Sequence, residues 1–283
     1  MQALATALAL FAVLLSGLWL FPPWWIPYLF ALLLFAAIIF AWRRNEAKPF
    51  LPQSLLSWAF AVLFTGLGIY SAHEATQSIA ATSPPSGEVV DIAFPFAKGQ
   101  FLIANGGNDI RINSHLESMI STAPKFKPWR GNGHAVDIVA INGWGMRASG
   151  FMPQDPSAYY VYGMPVLAPC SGSIKLAVDG LPDMPVPEYD RAHIAGNHVL
   201  LACGDKHVLM AHFRKGSVMV NVGDRIEVGQ KLAEAGNSGG SNEPHLHIHV
   251  QRPGSVESPY SGDPLPARFN GRYLVRNDRV SLP

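Results

Sequence analysis

The sequence has little charge and no excess of either sign. Lys, Arg, Asp and Glu make up 14% of the 283 residues, and the formal net charge is +1. No basic stripe stands out along the chain, so we expect no nucleic acid as a partner. Hydrophobic residues make up 49% of the chain and are concentrated near its beginning. This uneven distribution divides the chain into an apolar N-terminal region and a more polar remainder.

Three long apolar runs lie near the start of the chain, over about 3–21, 24–42 and 55–71. A helix needs about 20 apolar residues, with a range of about 17–25, to cross the hydrocarbon core. The first run lacks the charged segment that precedes the apolar stretch of a cleavable signal peptide. The runs also lack the intramembrane charges that would indicate transport. We therefore predict that residues 1–72 form a transmembrane region of three retained helices in the lipid bilayer.

The orientation of this region follows from the loop between the second and third runs. The loop carries Arg43, Arg44 and Lys48, and positive charges favour the cytoplasmic side. We therefore predict a cytoplasmic N-terminus and an extracytoplasmic location for everything after the third helix.

The rest of the chain has the composition of a tether followed by a β domain. Residues 73–88 are rich in Ser, Thr and Pro, which is typical of a flexible linker. Residues 89–283 contain short β-prone runs separated by glycine and proline, without sustained helical periodicity. This pattern predicts an all-β sandwich or barrel.

The chain has only two cysteines, Cys170 and Cys203, and both fall in the exported domain. An even count in an oxidising compartment favours a disulfide. Two buried free thiols are the alternative, because the reach and direction of the side chains decide whether the bond forms.

The segment "HLHIHV", 245–250, alternates histidine with aliphatic residues. Side chains two residues apart share one face of a strand, so His245, His247 and His249 lie together on the face opposite the core. Ser, Thr, Lys or Glu usually occupy the wet face of a half-exposed strand, which makes three histidines by chance improbable. Two imidazoles at i and i+2 suit a zinc ion, with Zn–N distances of about 2.0–2.1 Å.

Two further segments contain candidate metal or catalytic residues. "GHAVDIVA" offers His134 and Asp137, and "LMAHF" ends an apolar run with His212. A neutral imidazole and a carboxylate are common zinc ligands. Taken singly, each of these residues is more often a surface, capping or structural residue.

The ordered motifs "GHAVDIVA", "APCSGSI", "GNHVLL", "LMAHF" and "VGDRIEVGQKLAEAGNSGGSNEPHLHIHV" together resemble those of the lysostaphin-like (LytM-type, family M23) zinc endopeptidases. The resemblance covers roughly 131–250. It implies an antiparallel β-sandwich with a groove, like the duplicated hybrid motif, and one Zn²⁺ per chain. It also implies peptidoglycan peptides as substrate and, with the membrane region, the bacterial inner membrane with a periplasmic catalytic domain.

The resemblance also implies site residues. The zinc ligands map onto His134, Asp137 and His247, and the catalytic histidines onto His245 as base and His212 as oxyanion stabiliser. Asn197 is implied as a substrate-positioning residue. The chain departs from the family at two points: histidine stands three rather than four residues before Asp137, and His249 stands where the family often has an acid. The other histidines are expected to be non-catalytic: His73, His115, His193, His198 and His207.

Two other functions are compatible with parts of the sequence. A catalytically silent module of the same fold would bind the cell wall or regulate a hydrolase, and it would be marked by loss of a ligand or catalytic histidine. A carrier domain would use the hairpin "VGDRIEVGQKL", but no lysine stands at its tip. We therefore predict an enzyme, a membrane-anchored zinc metallopeptidase.

Overall fold

The structure is a computed structural model that describes residues 25–44, 51–120, 122 and 124–283. It divides into two compact units, residues 1–81 and residues 82–283. The first unit contains two described helices, α1 (Ile26–Arg44) and α2 (Leu55–Ala80). Helix α2 begins at a capping box, in which Ser54 accepts a hydrogen bond from the backbone of Ser57 and Ser57 bonds back to Ser54.

The prediction of three membrane helices is not supported by the described residues. Among them, α2 alone is long and apolar enough to cross a membrane, while α1 contains a shorter apolar stretch, Ala31–Phe40. The first predicted helix, over about 3–21, lies outside the described residues. The described residues therefore contain one candidate membrane span, whereas the apolar runs of the whole chain predicted three.

The boundary between helix and linker also differs from the prediction. Helix α2 continues through Ala80, so the first half of the predicted linker, residues 73–80, is helical. These residues include alanine, glutamate and glutamine, which are good helix formers. Pro84 and Pro85 follow the end of the helix, where their missing N–H groups prevent continuation.

The second unit is mostly β-sheet, which confirms the predicted class. Its strands are β1 (Val90–Ile92), β2 (Gly99–Asn105), β3 (Val136–Ala140), β4 (Pro165–Leu167), β5 (Gly172–Val178), β6 (Asn197–Cys203), β7 (Lys206–Phe213), β8 (Arg225–Ile226), β9 (Lys231–Glu234), β10 (Leu246–Gln251), β11 (Pro264–Leu265), β12 (Ala267–Phe269), β13 (Arg272–Tyr273) and β14 (Arg279–Leu282). Short helical segments lie at Ser114–Leu116, Pro124–His134 and Pro156–Ala158, all 3-10, and at α3 (Glu117–Ile120).

One large sheet organises the domain. Its strand order is β14-β2-β3-β10-β7-β6-β5-β8, with β11 paired to β10, and its pairings are antiparallel. Two smaller sheets, β1-β12-β13 and β4-β9, contribute residues to the same hydrophobic core. The core therefore lies between one face of the large sheet and the small sheets.

Strand β10 lies near the middle of the large sheet, between β3 and β7. Its aliphatic residues Leu246, Ile248 and Val250 belong to the main core, as the alternation predicts. The opposite face is also buried, since His247, His249 and Gln251 are at most 2% exposed. The prediction of a wet face is therefore wrong.

Two segments distant in sequence cover this polar face. The side chain of Gln251 donates to the carbonyl of Pro259 and accepts from the backbone of Gly262. The backbone N–H of Gly131, in the 3-10 segment Pro124–His134, donates to the carbonyl of Tyr260. The histidines of β10 thus lie under a second layer made by residues 124–134 and 259–262.

Cys170 and Cys203 form a disulfide, with their Cα atoms 6.0 Å apart. Cys203 ends β6, and Cys170 lies two residues before β5, the strand that pairs with β6. Of the two alternatives drawn from the sequence, the bonded pair is the one found.

Candidate active site

Asp137, on strand β3, is the centre of a cluster of imidazoles. Its Oδ2 lies 2.9 Å from Nε2 of His115 and accepts a hydrogen bond of 2.8 Å from the amide of Asn105. Its Oδ1 lies 3.0 Å from Nδ1 of His247 and 3.6 Å from Nε2 of His245. The carboxylate is only 5% exposed, so these groups replace the water that would otherwise solvate its charge.

The register of the central strands produces this arrangement. His247 of β10 stands directly opposite Asp137 of β3 in an antiparallel pair, and it also pairs with Ala211 of β7. His212 therefore lies one residue from the position opposite His247. His212 has a left-handed backbone, φ +65°, a conformation that histidine adopts more often than most residues.

His212 and His245 form the other half of the cluster. Nδ1 of His212 lies 2.9 Å from the carbonyl oxygen of Ser238. Nδ1 of His245 lies 2.8 Å from the carbonyl oxygen of Glu243 and 3.1 Å from Oγ of Ser241. A carbonyl oxygen only accepts hydrogen bonds, so each ring carries its proton on Nδ1 and presents Nε2 to the site. The two rings are 4.8 Å apart.

Burial and neighbouring charges set the protonation states. Burial lowers the pKa of His247 to about 4, although its contact with Asp137 partly opposes the shift. Burial and the nearby His245 and His247 hold the pKa of His212 well below its usual range. For Asp137, burial raises the pKa, but the neighbouring imidazoles outweigh it and leave the pKa well below 3.8. At neutral pH the site therefore holds a carboxylate at Asp137 and neutral imidazoles at His212 and His247.

These residues fit a metal ion. Two groups of potential ligands, each with its donor atoms within 4.8 Å of one another, share His247: His115, Asp137 and His247, and His212, His245 and His247. Two imidazole nitrogens and one carboxylate form a typical set for a catalytic zinc, which uses three protein ligands and one open position. The first group contains this set, and the second places two further imidazoles beside it.

From the sequence, His115 was expected to be non-catalytic. It lies in the 3-10 segment Ser114–Leu116, whose N-cap is Asn113, and its side chain is 17% exposed. A single histidine 22 residues before Asp137 matches no short ligand motif, so its position in the sequence does not predict metal binding. The sequence contains one indication that the ligand is not His134: Gly133, and not a histidine, stands four residues before Asp137.

The structure brings together four of the predicted site residues and leaves His134 outside the cluster. Asp137, His212, His245 and His247 come together, but neither potential ligand group among the described residues includes His134. Nδ1 of His134 is buried without a hydrogen-bond partner, and burial lowers its pKa.

Asn197, predicted to position the substrate, has its side chain bonded within the protein. It is fully buried, and its amide bonds to the backbone of Leu181 and to the carbonyl of Phe213. These bonds hold the loop at Leu181 against the ends of β6 and β7.

A cleft lies beside His115, one of the potential metal ligands. It has a volume of about 470 Å³, and its lining includes His115, Trp129, Arg191 and Ile194.

Part of the chain matches a known protein family. Residues 158–259 match the model of peptidase family M23. The M23 match includes His212, His245 and His247, and it begins after His115 and Asp137. No curated protein matches the chain.

Solved structures with similarity to this chain include a peptidase and a protein of a pore. The catalytic domain of lysostaphin from Staphylococcus simulans is 24% identical, with 45% of this chain and 74% of that chain covered and a TM-score of 0.29. Full lysostaphin, an antimicrobial peptidase, is covered over 42% of its length and 49% of this chain, at 24% identity and a TM-score of 0.29. The SpoIIQ–SpoIIIAH pore forming complex is 12% identical, with 62% and 94% covered and a TM-score of 0.34. At these TM-scores we take no functional argument from the solved structures.

Proposed function

We propose that this protein is a membrane-anchored zinc metallopeptidase that hydrolyses peptide bonds of bacterial peptidoglycan. The observation that carries the proposal is the cluster itself. A potential zinc-binding set, His115, Asp137 and His247, stands beside two imidazoles, His212 and His245, whose Nδ1 atoms are held by carbonyl oxygens and whose Nε2 atoms are turned towards the site. The M23 match over residues 158–259 supports peptide-bond hydrolysis as the reaction.

His115, Asp137 and His247 would hold the ion. A bound zinc lowers the pKa of water towards about 7 and polarises a carbonyl as a Lewis acid. Asp137 supplies one negative charge to the ion, and His115 and His247 supply neutral nitrogens. The second layer over β10 excludes bulk water from this side of the site, which strengthens every electrostatic contact there.

His212 and His245 would move protons. Because each ring is fixed with its proton on Nδ1, its Nε2 accepts a proton from the attacking water. The ring that has accepted the proton then carries an N–H towards the site, which donates to the oxyanion or to the leaving amine. Both histidines therefore have the same role at the start of the reaction, whereas the family resemblance implied His245 as base and His212 as oxyanion stabiliser.

The substrate peptide would lie in the cleft beside His115. Trp129 and Ile194 provide apolar contact there, and Arg191 provides a positive charge. The volume of the cleft, about 470 Å³, lies within the usual range for ligand sites.

Helix α2 would anchor the protein in the cytoplasmic membrane. It is the candidate span of the described residues, and Arg43, Arg44 and Lys48 precede it. By the positive-inside rule the chain then leaves the cytoplasm through α2, which puts the β domain on the side of the cell wall.

The test uses the full-length protein with Asp137→Ala and His247→Ala beside it. We expect about one zinc per chain in the wild type, release of peptide fragments from purified peptidoglycan, and loss of zinc and hydrolysis in both variants. A wild-type protein that binds zinc and peptidoglycan but releases nothing would identify the silent module instead. A wild-type protein without zinc or hydrolysis would contradict the proposal.

A further inference from the structure

His249 is buried behind a proposed metal ligand. It is 1% exposed, and its Nδ1 lies 3.1 Å from Nε2 of His247. Its ring packs 5.1 Å from the ring of Tyr260. Neither group of potential metal ligands among the described residues contains His249. Its contact with His247 therefore requires an account other than metal binding.

A neutral imidazole carries one proton, which lies on one of its two ring nitrogens. The nitrogen that faces the metal cannot carry this proton, so the proton lies on the other nitrogen and needs an acceptor. In His247, Nδ1 faces Asp137 and Nε2 faces His249. The acceptor for the Nε2–H group of a metal-bound His247 is therefore Nδ1 of His249.

Asn132 contacts the outer nitrogen of His115, the other imidazole ligand, as His249 contacts that of His247. Nε2 of His115 faces Asp137, and Nδ1 of the same ring lies 3.1 Å from the side-chain nitrogen of Asn132. The side-chain oxygen of Asn132 is buried and has no hydrogen-bond partner. A half-turn of the amide exchanges its oxygen and nitrogen at almost no change in shape. The oxygen then accepts from the Nδ1–H group of a metal-bound His115.

We propose that His249 and Asn132 are positioning residues that accept a hydrogen bond from Nε2 of His247 and Nδ1 of His115, and so keep the opposite nitrogen of each ring turned towards Asp137 and the ion. The inference rests on the proposed zinc site and adds two residues to it. His249 is buried, whereas Asn132 also lines the cleft proposed for the substrate, so both residues are tested by zinc binding in the absence of substrate. An imidazole at position 249 performs the acceptor role that a carboxylate or carbonyl usually performs behind a metal-binding histidine.

The test compares two pairs of variants of equal size in the full-length protein. His249→Asn and Asn132→Asp keep an acceptor oxygen near the ligand ring, whereas His249→Leu and Asn132→Leu remove it. Each pair changes packing by a similar amount, so the difference within a pair reports the acceptor. His134→Asn is the control, because His134 is partly buried nearby but lies in neither ligand group.

Zinc affinity is measured by competition with a chelator, with zinc as the only ligand added. We expect the two leucine variants to bind zinc about 10–100-fold more weakly than the wild type. We expect the variants that keep an acceptor, and the His134→Asn control, to stay within about threefold. The visible spectrum of the Co²⁺-loaded protein gives a second readout, which should change in the leucine variants and not in their partners.

The melting temperature of each metal-free variant separates loss of affinity from loss of fold. If His249→Leu does not fold, the Asn132 pair, at a partly exposed position, decides the question. Leucine variants that bind zinc as tightly as their acceptor-containing partners would overturn this inference while leaving the zinc site intact. A wild-type protein that binds no zinc would overturn the proposed function as well, so the two failures are distinguishable.

Discussion

Arg147→Met should destabilise the β domain and slow the proposed reaction. Nε of Arg147 donates to both carboxylate oxygens of Glu243, at 2.8 and 2.9 Å, and the two side chains are 8% and 23% exposed. The guanidinium also lies 5.9 Å from the ring of Tyr159. Hydrogen bonds to charged groups contribute about 1.5–3 kcal/mol. Methionine fills a similar volume, so the loss should be electrostatic and of about this size.

The same substitution at Arg130 provides the control. Arg130 pairs with Asp263 at 3.1 Å, but the two side chains are 51% and 68% exposed, and exposed pairs contribute less than about 1 kcal/mol. In a domain of 150–250 residues, 1 kcal/mol shifts the melting temperature by about 2–4 °C. We therefore expect a decrease of about 3–12 °C for Arg147→Met and less than about 4 °C for Arg130→Met.

Arg147→Met should also affect the site, because the carbonyl of Glu243 holds Nδ1 of His245 at 2.8 Å. A displaced carbonyl leaves the imidazole free to turn, and small misplacements of a reacting group reduce rates strongly. We expect kcat on peptidoglycan fragments to fall about tenfold or more, with KM changing little. Equal melting temperatures for the Arg147 and Arg130 variants, measured by differential scanning calorimetry without metal, would refute the reasoning.

Three further predictions concern stability. Ile248→Ala, at a fully buried core position, should lower the free energy of unfolding in urea by about 2–5 kcal/mol, and a loss below about 1 kcal/mol would contradict the packing described. Gly131→Ala should cost about 1–3 kcal/mol in the same assay, because the added Cβ would meet Oε1 of Gln251 and the carbonyl of Tyr260; an unchanged stability would contradict the close contact. Burial lowers the pKa of His198, so the unfolded chain binds more protons below about pH 6.5, and stability should fall as the pH drops through that value. His198→Asn should flatten this dependence in unfolding curves from pH 7.5 to 5.5, and an equally steep curve would argue against His198 as its source.

The alternating pattern of strand β10 could be predicted because it is local. Leu246, Ile248 and Val250 face the core as a period of two requires. Burial of the opposite face could not be predicted, because residues 124–134 and 259–262 cover it from elsewhere in the chain. A strand pattern specifies which side chains share a face and says nothing of what packs on that face.

The candidate site was predictable where its residues lie on paired strands. Asp137 and His247 meet through the register of β3 and β10. His115 was not predictable in the same way, since it lies on a short 3-10 segment that tertiary contacts place beside Asp137. His134 is adjacent in sequence to the strand, but neither ligand group in the described part of the chain includes it.

The N-terminal part of the chain shows how far composition alone can predict membrane helices. The apolar runs predicted three helices, and among the described residues one is a candidate span, Leu55–Ala80. This helix is also longer than the apolar run, because helix-forming residues continue the hydrogen-bonded ladder beyond the apolar stretch until the prolines that follow Ser83.

The most direct test of the account is the zinc content of full-length His115→Ala and His134→Ala, measured side by side with the wild type. Structural zinc binding of about 10–16 kcal/mol over four ligands corresponds to about 2.5–4 kcal/mol for each. Loss of one ligand should therefore weaken binding on the order of 10²–10³-fold. The account predicts that His115→Ala loses zinc while His134→Ala keeps about one ion per chain. Retention of zinc by His115→Ala together with its loss from His134→Ala would contradict it.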